Sequence, residues 1–257
     1  MCRLDSGVRR GAVAIWPLIV VALCGCSGGQ IRHRIESGIA RALPSKLGPA
    51  KSYTVKVSGS TMAMINGRLG AVKILGEEVR LSKGVTVARL DVDIKDLVAD
   101  PGTQAIKRCG STVYSATLAQ DELQRYLIKT YPDIPGLKVS LANGAAHVLA
   151  SPGLAGVKVN IAADATLEVR EGRRLALNLM SIDVAGLSAP GFARDFIENR
   201  LNPVFDASEL GFGARIESVR IDRGSLTLTG TLDLMKALGT SGEANHPNTE
   251  TTEPRNL

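Results

Sequence analysis

From Tyr53 to Ser58 the chain alternates: Tyr53, Val55 and Val57 are apolar, and Thr54, Lys56 and Ser58 are polar. A period of two predicts a strand with one buried face. After Asn66-Gly67-Arg68 the apolar positions are Leu69, Val72, Ile74 and Val79, then Val85, Val87, Leu90, Val92 and Ile94. The alternation slips by one between Val87 and Leu90, as a β-bulge would make it. Leu137, Val139 and Leu141 lead into Asn143-Gly144, a hairpin signal, and a return strand through Ala150. Val157, Val159, Ile161, Ala163, Ala165, Leu167 and Val169 keep one phase, predicting a single long strand. Glu171-Gly172-Arg173 turns it back into Leu175, Leu177 and Leu179, with Ile182 and Val184 in shifted phase. A last hairpin runs from Val219 and Ile221 through Asp222-Arg223-Gly224 to Leu226, Leu228, Leu232 and Leu234.

Three segments have helical spacing instead. Ile31, Ile35, Ile39 and Leu43 recur every four residues, and Pro44 ends the run. Leu118 to Thr130 places Ala119, Leu123, Tyr126, Leu127 and Thr130 on one face, with Thr117 and Gln120 at capping-box spacing. A third helix starts near Pro190, has Ala193, Phe196, Ile197, Leu201 and Val204 on one side, and breaks at Asn202-Pro203. The expected fold is α+β: an elongated, curved antiparallel sheet wrapped around a few helices. The first two helix-then-strands blocks look like loose copies of one plan, without enough identity to be a repeat. Residues 239–257 are almost devoid of apolar side chains and are expected to be disordered.

The N-terminus changes the picture. Residues 11–25 carry no charge and follow Arg3, Arg9 and Arg10. Such a run reaches roughly 22 Å as a helix, short of a bilayer core of about 30 Å. It reads as a secretory leader. Leu23-Cys24-Gly25-Cys26 resembles the bacterial lipobox, in which the last cysteine is acylated and becomes residue one. Residues 1–25 are then a lipoprotein signal peptide, Cys26 the lipid attachment and 26–30 a short tether. Residues 31–238 form one domain. An ordinary signal peptide or an uncleaved anchor is the competing reading. Localisation follows: the cell envelope, lipid-anchored on the extracytoplasmic side of a bacterial membrane.

Charge and chemistry narrow the function. Loss of Arg3, Arg9, Arg10 and Asp5 with the leader takes the formal charge from +6 to +4. That suits anionic lipid headgroups and argues no nucleic-acid partner. Of the cysteines, Cys109 alone remains unmodified, which excludes an intramolecular disulfide and a multi-cysteine metal site; it reads as a half-buried structural cysteine. His33, His147 and His246 are dispersed, Asp91 and Asp93 read as a solvated strand face, and there is no phosphate loop or nucleophile elbow. No cofactor, metal or catalytic residue is expected. What remains is aliphatic surface, which serves equally as core or as a groove for acyl chains. Candidate groove walls are Val139, Leu141, Val157, Val159, Ile161, Leu175, Leu177, Leu226 and Leu228.

Three stretches carry a family likeness: "INGRLGAVKILGEEVRL" with "GVTVARLDVDIKDL", "YSATLAQDELQRYLIKTYPDIPGLKVSLANGAAHV" and "NRLNPVFDASELGFGARIESVRIDRGSLTLTG". From about Ile31 to Leu238 the pattern resembles the LmeA-like phospholipid-binding family of bacterial envelope proteins. Ala189-Pro190 stands where the family usually has Leu-Pro, and the lipobox and the tail are extra to its core. The resemblance implies a sheet akin to tubular lipid-binding domains, phospholipid binding outside the cytoplasm and no enzymatic activity. It assigns no residue list. The expected function is therefore a membrane-anchored, non-enzymatic lipoprotein holding phospholipid acyl chains, for lipid transfer or envelope biogenesis. The alternative is a structural or assembly lipoprotein whose apolar face is all core or partner interface. An envelope hydrolase ranks last.

Overall fold

Long antiparallel strands dominate the computed structural model, which describes residues 28–81, 84–103, 105–151, 153–154, 157–188, 194, 198–199, 201–210 and 213–237. The leader, Cys26, most of the third helix and the tail lie outside the described residues. The first half comprises α1 (Gly28–Lys46), β1 (Ser52–Ser58), α2 (Thr61–Ile65), β2 (Arg68–Arg80), β3 (Thr86–Ala99), β4 (Ile106–Arg108) and β5 (Thr112–Ala119). Then follow α3 (Gln120–Thr130), β6 (Lys138–Ala142), β7 (Ala145–Ala150), β8 (Gly153–Leu154), β9 (Val157–Lys158), β10 (Ile161–Arg170), β11 (Arg174–Val184), β12 (Leu187–Ser188) and β13 (Phe205–Asp206). A 3₁₀ turn at Ala207–Leu210, β14 (Arg215–Asp222), β15 (Ser225–Thr231) and α4 (Leu234–Ala237) end the described chain.

The α+β class stands, with two main sheets in place of one. The first has the order β1-β2-β3-β5-β15-β14, with β4 beside β3. The second has the order β12-β11-β10-β7-β6, with β13 beside β11, and β8-β9 is a separate hairpin. One sheet curls into a half-barrel. The long strands open a wide apolar face, and α1 covers part of it: Leu43, Ile35 and Ile39 pack with Val55, Val57, Val72 and Val92.

Several elements differ from the sequence reading for local reasons. α1 already begins at Gly28, so part of the segment read as tether is helical, and it continues past Pro44 to Lys46. The bulge expected after Val87 is a paired irregularity. Val79 and Val87 are both buried three residues from the next buried positions, Gly76 and Leu90. The Cα register of β2 and β3 nonetheless stays constant from Arg68↔Val98 to Arg80↔Thr86. Both strands step out of alternation together here, with Glu78 in β2 at φ 49°; a second matched step lies toward the other end, between Leu69 and Val72 and between Ile94 and Leu97, with Asp96 in β3 at φ 52°.

The capping box at Thr117 and Gln120 does not form. β5 runs through Ala119, which caps α3 without a side-chain bond. Gln120 Oε1 instead accepts from the Leu141 N–H at 2.8 Å. The long strand expected from Val157 to Val169 breaks at residues 159–160 into β9 and β10. Leu234, expected on the last strand, starts α4. The phase shift between Leu179 and Ile182 is real, because Met180 is an extra residue between the pairs Ala165↔Leu179 and Asp164↔Ser181.

The outer edge of β11 is closed by side chains four residues apart. Arg194 donates to the carbonyls of Leu179 at 2.6 Å and Met180 at 3.1 Å. Glu198 accepts from the Leu179 N–H at 3.1 Å. Asn202 accepts from the Leu177 N–H at 2.7 Å and donates to the Leu177 carbonyl at 3.0 Å. A four-residue spacing puts such groups on one helix face. Here that face stands in for a missing strand and blunts an open edge.

On the solvent side of the second sheet, Asp164 accepts from His147 and from Ser181 Oγ, the latter at 2.9 Å. These bonds hold its carboxyl below the usual range. A depressed carboxylate contributes stability above its unfolded pKa and loses it as pH falls through the folded value. Acidification below about pH 4 is therefore expected to remove this contribution. Asp164→Asn should flatten that part of the pH–stability curve, read from urea midpoints at a series of pH values. An unchanged curve would mean that the bonded carboxylate contributes nothing to acid sensitivity.

Candidate functional site

The aliphatic residues read as groove walls divide between two packed layers. Val139, Leu141, Leu175 and Leu226 are buried together with Leu123, Ala146 and Ile221, and Leu228 packs at their edge. Leu177 is buried in an adjoining cluster with Ala163, Ala165, Leu179 and Ile182, which half-buried Ile161 joins. Val159 is half-buried in the connection before β10, and Val157 opens β9, its side chain outside the described ones. Val139, Leu141, Ile161, Leu175, Leu177, Leu226 and Leu228 therefore come together in the core clusters.

Along β11 the apolar strip has a graded exposure. Leu175, Leu177, Leu179 and Ile182 are buried. Val184, in register with Ile161 and paired onward to Leu187, is half-buried, and Leu187 is 75% exposed. The inner face thus runs out into solvent at one end of the second sheet. From Leu175 to Val184 the strip is about 30 Å long at ~3.3 Å per residue. That is close to the thickness of a bilayer's hydrocarbon core.

At the other end lies a cavity of about 330 Å³. Tyr126, Lys129, Thr130 and Tyr131, at the C-terminal end of α3, form one wall, and residues 203–206 form the other. Its floor is where the core clusters meet. Phe205 packs against the cluster around Leu141 and Leu175 and against that of Ala207, Ala214 and Ile216; Val204 packs against the cluster of Leu177 and Leu179. The backbone fixes this wall: Val204 N–H donates to the Leu175 carbonyl at 2.9 Å, and Phe205 and Asp206 pair with β11 as β13. Tyr131 Oη donates to the Leu201 carbonyl at 3.3 Å and closes the far corner. None of the expected wall residues lines this cavity. Sequence reasoning missed it because its lining comes from segments some seventy residues apart, as the Tyr131–Leu201 bond shows.

The rim is charged asymmetrically. Asp206 is occupied: it accepts from Ser208 Oγ and N–H at 2.6 and 2.9 Å and from Arg174 at 3.3 Å. The Ser208 hydroxyl bond, more than Arg174, holds its carboxyl below the usual range. Lys129 is exposed and forms no ion pair with a described residue. The rim therefore offers a cation to an anionic group, over an apolar floor.

The remaining polar candidates have ordinary partners. Asp91 binds Arg89 at 2.7 Å; Asp93 reaches Lys73 at 3.5 Å through Oδ2, while its buried Oδ1 has no hydrogen-bond partner among the described residues. Half-buried Cys109 is unbridged, with Sγ 3.3 Å from the Thr112 hydroxyl. Among the described residues there is no cluster of potential metal ligands, and no helix is long and apolar enough to cross a membrane. Comparison with curated proteins and with solved structures gave no match. A family model does match, over residues 28–231, which takes in every described strand and both halves of the cavity: the chain belongs to the LmeA-like phospholipid-binding family.

Proposed function

We propose that this chain is an extracytoplasmic lipoprotein, anchored through Cys26, that shelters a phospholipid acyl chain in the seam between its two sheets. The carrying observation is a cavity floored by apolar core clusters and rimmed by a lysine that forms no ion pair with a described residue, in a chain of a phospholipid-binding family. The hydrocarbon tail enters over Phe205 and Val204, and Lys129 holds the phosphate. Each methylene withdrawn from water contributes about 0.8 kcal/mol, so aliphatic walls suffice for binding without special polar chemistry. The cavity is at the small end of ligand pockets, roughly 300–1,000 Å³. It suits part of one tail better than a whole two-chain lipid. The family's function favours this reading over a tethered scaffold.

The test is mass spectrometry of lipid extracted from purified chain 26–257 carrying Cys26→Ser. Stoichiometric phospholipid is expected. Lys129→Glu should lower retention of anionic phospholipid about tenfold, the worth of one charge-assisted hydrogen bond of ~1.5 kcal/mol, without shifting the unfolding midpoint. A chain free of lipid overturns the proposal and leaves the structural lipoprotein.

A further inference from the structure

The described chain begins at Gly28, so residues 1–27 join the fold at the start of α1. α2 sits beside this point. Arg32 donates to the Gly59 carbonyl at 3.5 Å, and Glu36 accepts from the Val57 N–H at 2.9 Å. α2 itself is pinned: Ser60 Oγ accepts from the Ala63 N–H at 3.2 Å, and Met64 is buried in the core. With Met64 inside, Met62 and Ile65 point outward, 69% and 51% exposed and three residues apart on one face.

Three arginines lie at the same end of the first sheet: Arg32 on α1, whose guanidinium reaches the Gly59 carbonyl, Arg68 at the start of β2 and Arg108 at the end of β4. Arg68 and Arg108 flank Val98 in one cross-strand row, two strand spacings or about 10 Å apart. All three are exposed, and none forms an ion pair with a described residue. The carboxylates nearby are mostly engaged. Asp100 binds Lys107 at 2.6 Å and accepts from the Gly102 and Thr103 N–H groups, and Glu36 holds Val57. Asp96 on β3 is exposed. Single exposed apolar residues are ordinary. Two on one face, with three cations at the same end of the sheet where the N-terminal segment joins, are not.

We propose that this end of the first sheet docks on an anionic lipid bilayer. Met62 and Ile65 enter the boundary between headgroups and tails, and Arg32, Arg68 and Arg108 take lipid phosphates through their guanidinium forks. Phosphate is an acceptor that guanidiniums without a carboxylate partner can take, and a bilayer surface offers many. The contact holds the protein in one orientation and is independent of lipid carriage in the seam.

Chain 26–257 with Cys26→Ser is to be co-sedimented with vesicles of equal phosphatidylglycerol and phosphatidylcholine, and with pure phosphatidylcholine vesicles. Sedimentation with the anionic vesicles is expected, and much less with the neutral ones. Arg68→Ser with Arg108→Ser should weaken binding about thirtyfold, at roughly fivefold per cation near the surface. Met62→Asp with Ile65→Asp, on an exposed face that leaves the core intact, should weaken it at least tenfold. Extracted phospholipid should stay at the parent's level in both, which separates docking from loading. Equal binding to both vesicle types, or unchanged binding of both double variants, overturns the docking site. A partner protein occupying the face instead would appear as absence of vesicle binding by the parent, which also overturns it.

Discussion

Gly230→Ala is expected to lower the thermal midpoint of this protein by roughly 6–12 °C, corresponding to about 3 kcal/mol at 2–4 °C per kcal/mol for a domain of this size. Gly230 lies in β15, in register with Tyr114 of β5 on one side and Ile216 of β14 on the other. A Cβ there would stand 1.8 Å from the Arg215 carbonyl oxygen and 2.9 Å from its carbon. The obstacle is backbone in a paired strand and cannot swing aside, so β14 or β15 must shift and the pairing beside the bulge at Ile216/Ser218 is lost. Gly144→Ala is the control. Gly144 has φ +80° and nothing within 4 Å of a Cβ, so only its backbone strain of ~1 kcal/mol is expected. Circular dichroism melts of both variants measure the difference. Equal midpoints would show that the β14–β15 edge yields freely.

Leu141→Ala is expected to cost about 2–5 kcal/mol and lower the midpoint by roughly 4–20 °C. Leu141 is 1% exposed and packs in the cluster with Leu123, Leu175 and Leu226. Its backbone also joins elements: its N–H donates to Gln120 Oε1 at 2.8 Å, and its carbonyl accepts from the Gly224 N–H at 2.9 Å. Removing the side chain leaves a void between the two sheets where α3 and the last hairpin are tied. The same variant separates core from groove wall. A core residue loses stability, with lipid retention following the fraction folded. A wall residue loses lipid at an unchanged midpoint, and that outcome would move the lipid site from the cavity at Phe205 to the face of β6.

How far these features can be read in the chain differs from element to element. β1, β6 and the last hairpin follow from alternation between turn residues; Asn143-Gly144 and Glu171-Gly172 adopt the positive φ values such turns need. Local spacing also shows that β11 changes phase before Ile182. It does not show the matched step in β2 and β3, which takes two strands stepping together. The Thr117–Gln120 spacing is right for a capping box, but a β5–β15 pairing, with Thr117 opposite Thr227, holds those residues in the strand. Arg194, Glu198 and Asn202 are spaced as a helix face, yet their role at the edge of β11 is set by a strand outside their own segment.

The candidate site divides in the same way. Aliphatic alternation identifies which residues face inward, since a period of two decides sides. It cannot divide core from groove, because both use Val, Leu and Ile for the same avoidance of water. The sequence by itself thus determined the class of fold, most strands and the apolar character of the inner faces, each a consequence of nearest-neighbour periodicity. The division into two sheets, the insertion of the last hairpin beside β5, the cavity over Phe205 and the gathering of Arg32, Arg68 and Arg108 at the end of the first sheet that carries Met62 and Ile65 were decided only in the tertiary structure. All of them depend on which distant segments meet, and that choice is made by burying the largest shared apolar area while pairing every strand backbone.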